Sequence, residues 1–188
     1  MIDNTAFKKE LEERVKEINA GIAGYLPEEK GCQKTIFEAM NYSMNAGGKR
    51  LRPLLMQEVC RLFTGEVSEI VKPFMAAIEM IHTSSLVHDD LPCMDDDMIR
   101  RGKASTWAEY GEDIGVLAGD ALMMYAFETA SKAFDAAEDA DALLRAGKAM
   151  GILAAKTGVY GMIGCETVGV ELPGGPVPKE KLDFIYRL

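Results

Sequence analysis

Histidine is scarce in this sequence. Its 188 residues contain only two, His82 and His88. An all-α metal phosphohydrolase needs a well-separated histidine ahead of its His-Asp pair. His82 lies only six residues before His88-Asp89, too close for that. Cysteine is also sparse: Cys32, Cys60, Cys93 and Cys165 are scattered, with no C-x-x-C spacing for a zinc or redox site. They read as reduced thiols of a cytosolic protein, and the expected localisation is cytoplasmic. Basic residues are the minority, 21 against 30 acidic, for a net charge of −9. That balance disfavours a nucleic-acid partner, which would want a basic face. Anionic substrates are disfavoured too, unless cations are concentrated locally or metal ions intervene. No apolar run approaches the roughly 18 residues of a membrane span. The N-terminus is charged from the start, without the apolar core of a signal peptide. Strand-type alternation, repeats and interdomain linkers are all missing.

What is present is helical spacing. Hydrophobic residues make up 48 %, enough for a substantial core in one domain. Phe7, Leu11, Val15, Ile18 and Ile22 mark one helix face, and Pro27 stops that helix. A second helix starts near Gln33 and ends at Gly47-Gly48. A third has Pro53 near its start and Gly65 at its end. A fourth carries Val71, Phe74, Ile78 and Ile81 into a run of aspartates. Residues 115–138 and 141–157 read as helices, 158–171 as a Gly-rich mixed segment and 172–176 as a loop; Pro178 begins another helix. The expected class is all-α, in a single domain spanning 1–188. Leu182, Ile185 and Leu188 are helically spaced up to the last residue, so the domain reads as incomplete at its C-terminus. Some helices should then expose apolar faces.

Chemistry concentrates in two segments. In His88-Asp89-Asp90-Leu91-Pro92-Cys93-Met94-Asp95-Asp96-Asp97, five carboxylates fall within nine residues. If they face a common space, something cationic must compensate. Hard oxygen donors suit Mg²⁺, which binds a few carboxylates plus waters and phosphate oxygens. On a straight helix, at about 100° per residue, Asp89 and Asp95 point apart. Pro92 distorts the turn between them and could bring them together. A solvated acidic helix end is the alternative. The second segment is Gly47-Gly48-Lys49-Arg50-Leu51-Arg52-Pro53. Its glycines allow close backbone approach, and its cations precede a new helix N-terminus, as a phosphate site would want. A helix-ending glycine pair with surface charges is the alternative here. Arg100, Arg101 and Lys103 add a further basic cluster beyond the aspartates.

Taken together, GGKRLRP, EMIHTSSLVHDDLPCMDDDMIRRGK and LAGDAL closely resemble the bacterial-type short-chain trans-prenyl diphosphate synthases, which make farnesyl or geranylgeranyl diphosphate. The resemblance covers about residues 1–188, aligned with the N-terminal two-thirds of a family member. It implies an antiparallel helix bundle around a central cavity, with the C-terminal helices absent here. It also implies a homodimer that condenses isopentenyl diphosphate with an allylic diphosphate and releases pyrophosphate. By motif, Lys49, Arg52, His82 and Arg101 correspond to isopentenyl diphosphate ligands. Asp89, Asp90 and Asp95 correspond to the first aspartate-rich motif, holding Mg²⁺ for the allylic diphosphate. Arg100 corresponds to a direct ligand of that diphosphate. Metal ions and arginines would stabilise the departing pyrophosphate electrostatically. Ser84 and Ser85, one turn before the aspartates, stand where the family places bulky residues to stop chain growth, which implies the twenty-carbon product; packing serines are the alternative.

The sequence departs from the family in two places. Glu166 stands at the family's Gln position, supporting the allylic diphosphate: it keeps an oxygen acceptor, adds charge and loses an amide donor. Gly169 stands at the following Asp position and offers no side chain. No second aspartate-rich motif lies in 98–188; Asp120, Asp135, Asp139 and Asp141 read as isolated surface or cap acids. The chain alone is therefore expected not to turn over. A non-catalytic homologue that binds diphosphate and pairs with a complete synthase is the competing expectation.

Overall fold

The charged opening segment forms α1 (Asn4–Ala23), and only the later part of its apolar stripe, Ile18 and Ile22, is buried; Phe7 stays exposed. This computed structural model describes residues 4–172 and 177–187 and divides into two compact units, Met1–Ala136 and Ala137–Leu188. The first unit continues with α2 (Lys34–Met44), α3 (Leu51–Thr64) and α4 (Val71–Asp89). A two-residue hairpin follows, β1 (Ile99–Arg100) and β2 (Lys103–Ala104), then α5 (Thr106–Tyr110) and α6 (Glu112–Asp135). The second unit holds α7 (Ala140–Thr157), α8 (Met162–Val170) and α9 (Lys179–Arg187). The class is all-α, as the spacing predicts.

Helix α4 is the centre of the first unit. Phe74, Met75, Ala76, Ala77, Met80, Ile81 and Val87 are all buried, on more than one face, because α1, α2, α3 and α6 pack around it. Burying a Met or Ile side chain of this kind contributes about 1.5–3 kcal/mol. Helix α6 meets it through small residues. Ala118, Ala126, Ala130 and Ala133 are fully buried, and a Cβ on Gly119 would lie 2.1 Å from His88 Nε2. The two helices therefore approach closely, with the His88 imidazole filling the space a side chain would occupy. Ser84, also fully buried, donates from Oγ to the Gly119 carbonyl at 2.8 Å.

Helix α3 has an unusual start. Its N-cap, Arg50, adopts a left-handed backbone (φ 50°), and Gly65 (φ 81°) closes the helix in the common glycine manner. Leu51, Leu55, Val59, Leu62 and Phe63 form a stripe along it, each at least half exposed, so the expected apolar face is present. In the second unit, α7 is capped by Asp139, whose Oδ1 accepts from the Ala142 amide at 2.6 Å.

Three elements were not foreseen. The hairpin pairs only Ile99 with Ala104 and Arg100 with Lys103, too short to show alternation. Its loop residues Arg101 (φ 54°) and Gly102 (φ 79°) both have positive φ, as the favoured two-residue hairpin turn requires. Helix α5 spans a little over one turn. Helix α8 forms where a mixed segment was expected: Gly164, Thr167, Val168 and Gly169 have weak helix propensity, which hid it in the sequence, and no residue of the helix is buried. Residues 173–176 of the expected loop, and Leu188 of the final pattern, lie outside the described residues.

Candidate functional site: a cation-lined cavity beside the aspartate turn

The turn from α2 to α3 is the strongest local departure from ordinary backbone. Gly47 (φ 90°), Gly48 (φ 140°) and Arg50 (φ 50°) all have positive φ within four residues. Gly48 has no room for a side chain, since a Cβ there would come within 2.9 Å of the Arg101 guanidinium. Arg101 in turn donates to the Gly47 carbonyl, tying the hairpin to this turn. Lys49 and Arg52 are left exposed on either side of a buried Arg50.

These residues surround a cavity of about 490 Å³, lined by Gly48, Lys49, Arg50, Arg52, Glu79, His82 and Arg101, with Ala46 and Leu51. All four residues assigned by resemblance to isopentenyl diphosphate meet here: Lys49, Arg52, His82 and Arg101. Burial, and then the nearby Arg52, hold the His82 imidazole below its ordinary value, against an opposing pull from Glu79. Burial and Arg50 likewise lower Arg101. Among the described residues, no ion pair reaches Lys49, Arg52 or Arg101. Crowded like charges that outnumber the one carboxylate among them, Glu79, are what an anion would relieve.

Arg50 and Glu79 are the two charged cavity residues not singled out as ligands in the sequence. Arg50 Nη1 donates to Glu79 Oε1 at 2.7 Å, and both side chains are almost fully buried. Arg50 also donates to Asn19 Oδ1 at 2.8 Å and to the Met44 carbonyl at 2.6 Å. A glutamate on an apolar helix one turn before a histidine was the available signal.

The aspartates fold back rather than continuing the helix. α4 ends at Asp89, and the Asp95 amide donates to the Asp89 carbonyl at 2.8 Å. The Asp97 amide donates to the Asp90 carbonyl at 3.1 Å. Asp96 takes the left-handed region (φ 56°), and Trp107 Nε1 donates to the Asp97 carbonyl at 3.0 Å. The backbones of Asp89 and Asp95 are thus adjacent, with the Asp95 side chain exposed. Asp90 goes elsewhere. Its side chain is buried against Arg100, whose Nε lies 2.9 and 3.2 Å from its two oxygens. That hydrogen bond, more than the opposing burial, raises the Arg100 guanidinium.

Asp89 and Asp95 bring two carboxylates, the hard oxygen donors that Mg²⁺ prefers, to adjacent backbone positions. They do not form a closed cage: among the described residues, no three His, Cys, Asp or Glu side chains gather as a metal group. Ser85 Oγ donates to the His82 carbonyl at 2.9 Å, within its own helix. Asp120 is not isolated, as its Oδ1 lies 3.6 Å from His88 Nε2. In the second unit, Glu166 is exposed on α8, and Gly169 faces open space.

A family model described as polyprenyl synthetase matches residues 33–157. The chain is 46 % identical over 154 residues to the large subunit 1 of a chloroplastic heterodimeric geranylgeranyl pyrophosphate synthase of Arabidopsis thaliana, over 80 % of this chain and 41 % of that protein. It is 45 % identical over 155 residues to a chloroplastic geranylgeranyl pyrophosphate synthase of Catharanthus roseus, with the same two shares. A crystal structure of an FPP/GFPP synthase from Zymomonas mobilis superposes with a TM-score of 0.86 at 33 % identity, covering 98 % of this chain and 65 % of that one. The chain therefore spans about two-fifths of the length of these sequence relatives. No helix among the described residues is long and apolar enough to cross a membrane. The matched segment contains both the cation cavity and the aspartate turn, and the chain belongs to the polyprenyl synthetase family.

Proposed function

We propose that this chain serves prenyl transfer in isoprenoid biosynthesis, holding isopentenyl diphosphate in the cation cavity. The observation that carries this reading is the convergence of Lys49, Arg52, His82 and Arg101 on one cavity of about 490 Å³. Fixed cations in a partly desolvated recess bind a diphosphate far better than the same charges spread over a surface. The allylic diphosphate would lie at the aspartate turn, with Asp89 and Asp95 holding Mg²⁺. Bound there, Mg²⁺ would supply charge neutralisation for the leaving pyrophosphate.

In the reaction, the allylic C–O bond breaks and the electron pair leaves with pyrophosphate. The isopentenyl double bond attacks the allylic carbon, and the released pyrophosphate takes up the proton whose loss restores a double bond. The chain's own residues bind, orient and neutralise in this scheme. Arg100 sits beside the aspartates with a firmly protonated guanidinium. The cavity cations orient isopentenyl diphosphate, and apolar helices keep water from the carbocation. The active assembly is a homodimer.

A second reading rests on Gly169. It has no side chain at the position where the resemblance puts an aspartate, and Glu166 adds charge at the amide position. A diphosphate-binding subunit that pairs with a complete synthase needs neither group. Ser84 bears on product length: its hydroxyl is committed to the Gly119 carbonyl, which supports packing. The relatives' printed names support a twenty-carbon product.

Calorimetric titration with isopentenyl diphosphate tests the main reading. Saturable binding that is lost in a Lys49→Ala, Arg52→Ala double variant is the expected result. Binding unaffected by that double change would sink it. Product analysis with and without added complete synthase separates enzyme from subunit.

A further inference from the structure

A carboxylate in a cavity built for an anion has the wrong sign. Glu79 lines the cation cavity yet is 2 % exposed, so water does not screen it. Its Oε1 is taken by Arg50, and its buried Oε2 has no hydrogen-bond partner. By Coulomb's law alone, removing this charge would strengthen binding of any anion in the cavity.

We propose that Glu79 is a positioning residue that acts through Arg50 to hold the Lys49–Arg52 turn in its binding geometry. This rests on the reading of the cavity as a diphosphate site. The left-handed backbone of Arg50 is unfavourable for a residue with a Cβ, so it persists only where surrounding contacts impose it. Three contacts do so: Asn19 on α1, the Met44 carbonyl at the end of α2, and Glu79 on α4. The guanidinium makes all three bonds charge-assisted, but Glu79 alone supplies the opposite charge, so its bond alone is also an ion pair. Lys49 precedes Arg50 directly and Arg52 follows two residues later, so the Arg50 backbone dihedral sets where both exposed cations point. His82 lies three residues after Glu79 on the same helix, which places it on the adjoining part of the wall.

The test is calorimetric titration of the full chain with inorganic pyrophosphate, comparing wild type, Glu79→Gln, Glu79→Asp and Asn19→Ala. Circular dichroism and thermal melting establish that each variant is folded. Glu79→Gln keeps the shape and removes the charge. It is expected to bind about tenfold more weakly than wild type, opposite in sign to the electrostatic effect. Glu79→Asp restores the charge and should recover part of the loss. Asn19→Ala removes an Arg50 partner without stranding a buried charge, and should weaken binding by about threefold. Unchanged or tighter binding by folded Glu79→Gln overturns the proposal. If that variant does not fold, unchanged affinity in Asn19→Ala overturns it. If wild type does not bind pyrophosphate, the diphosphate reading falls and this inference with it. If wild type binds and Glu79→Gln binds better, only the positioning role falls.

Discussion

Arg100 grips Asp90 from the side, its Nε 2.9 and 3.2 Å from the two carboxylate oxygens, with one partner buried and the other at the surface. That pair closes the loop between the end of α4 and the hairpin. In an Asp90→Ala variant the guanidinium is left beside a buried apolar space. Breaking a fully buried pair costs about 3–5 kcal/mol, and the partial exposure of Arg100 reduces this to roughly 2–3 kcal/mol. The urea midpoint should fall accordingly, with little change in slope. A midpoint within error of wild type would mean that the loop does not depend on this pair.

The cation cavity should show its chemistry in salt dependence. Lys49→Ala or Arg52→Ala each removes one charge that faces the proposed diphosphate. Each should weaken isopentenyl diphosphate binding by about 1.5–3 kcal/mol, measured calorimetrically. The loss should shrink at high ionic strength, where wild-type binding is itself screened.

His82 gives a pH signature with a defined sign. Its folded-state value lies below its ordinary one, chiefly through burial. The unfolded chain therefore binds the proton more readily, and stability that is present above about pH 6.5 is lost as pH falls from there through the lower folded-state value. A bound anion does the reverse and draws a proton onto the imidazole. Pyrophosphate affinity of wild type should therefore gain on His82→Gln by about three- to tenfold between pH 8 and pH 6. Parallel pH profiles for the two proteins would exclude His82 from the anion's surroundings.

Two glycines should respond oppositely to alanine. At Gly119 the new methyl group would overlap His88, so Gly119→Ala should lower stability by about 1–3 kcal/mol. At Gly147, on α7, nothing lies within 4 Å, and alanine should stabilise by about 0.5–1 kcal/mol through helix propensity. Thermal melting of both variants checks the pair.

Helix positions were legible in the sequence because the apolar periodicity extends over several turns in each long helix, and Pro27, Pro53 and Gly65 punctuate it. The cation cavity was legible from motif alone: spacing along the chain cannot show that Lys49 and Arg101 share a wall. The hairpin was too short for a periodic signal. The Arg50–Glu79 pair was hidden because it joins residues 29 apart, and a glutamate inside an apolar run carries no local mark of its partner. Asp90 looked equivalent to Asp89 and Asp95 in one dimension. Only the fold-back of the turn separates an inward carboxylate from the others.

Arg50, Asp96 and Arg101 are the non-glycine residues with positive φ among those described, and they sit in the cation turn, the aspartate turn and the hairpin loop. A stabilisation campaign that ranks positions by backbone relief would select these three first and offer glycine at each. Such variants could gain thermal resistance while losing the side chains and the fixed turns that set ligand geometry. Melting temperature is therefore a misleading guide to improvement at these positions, and libraries aimed at robustness should hold them constant.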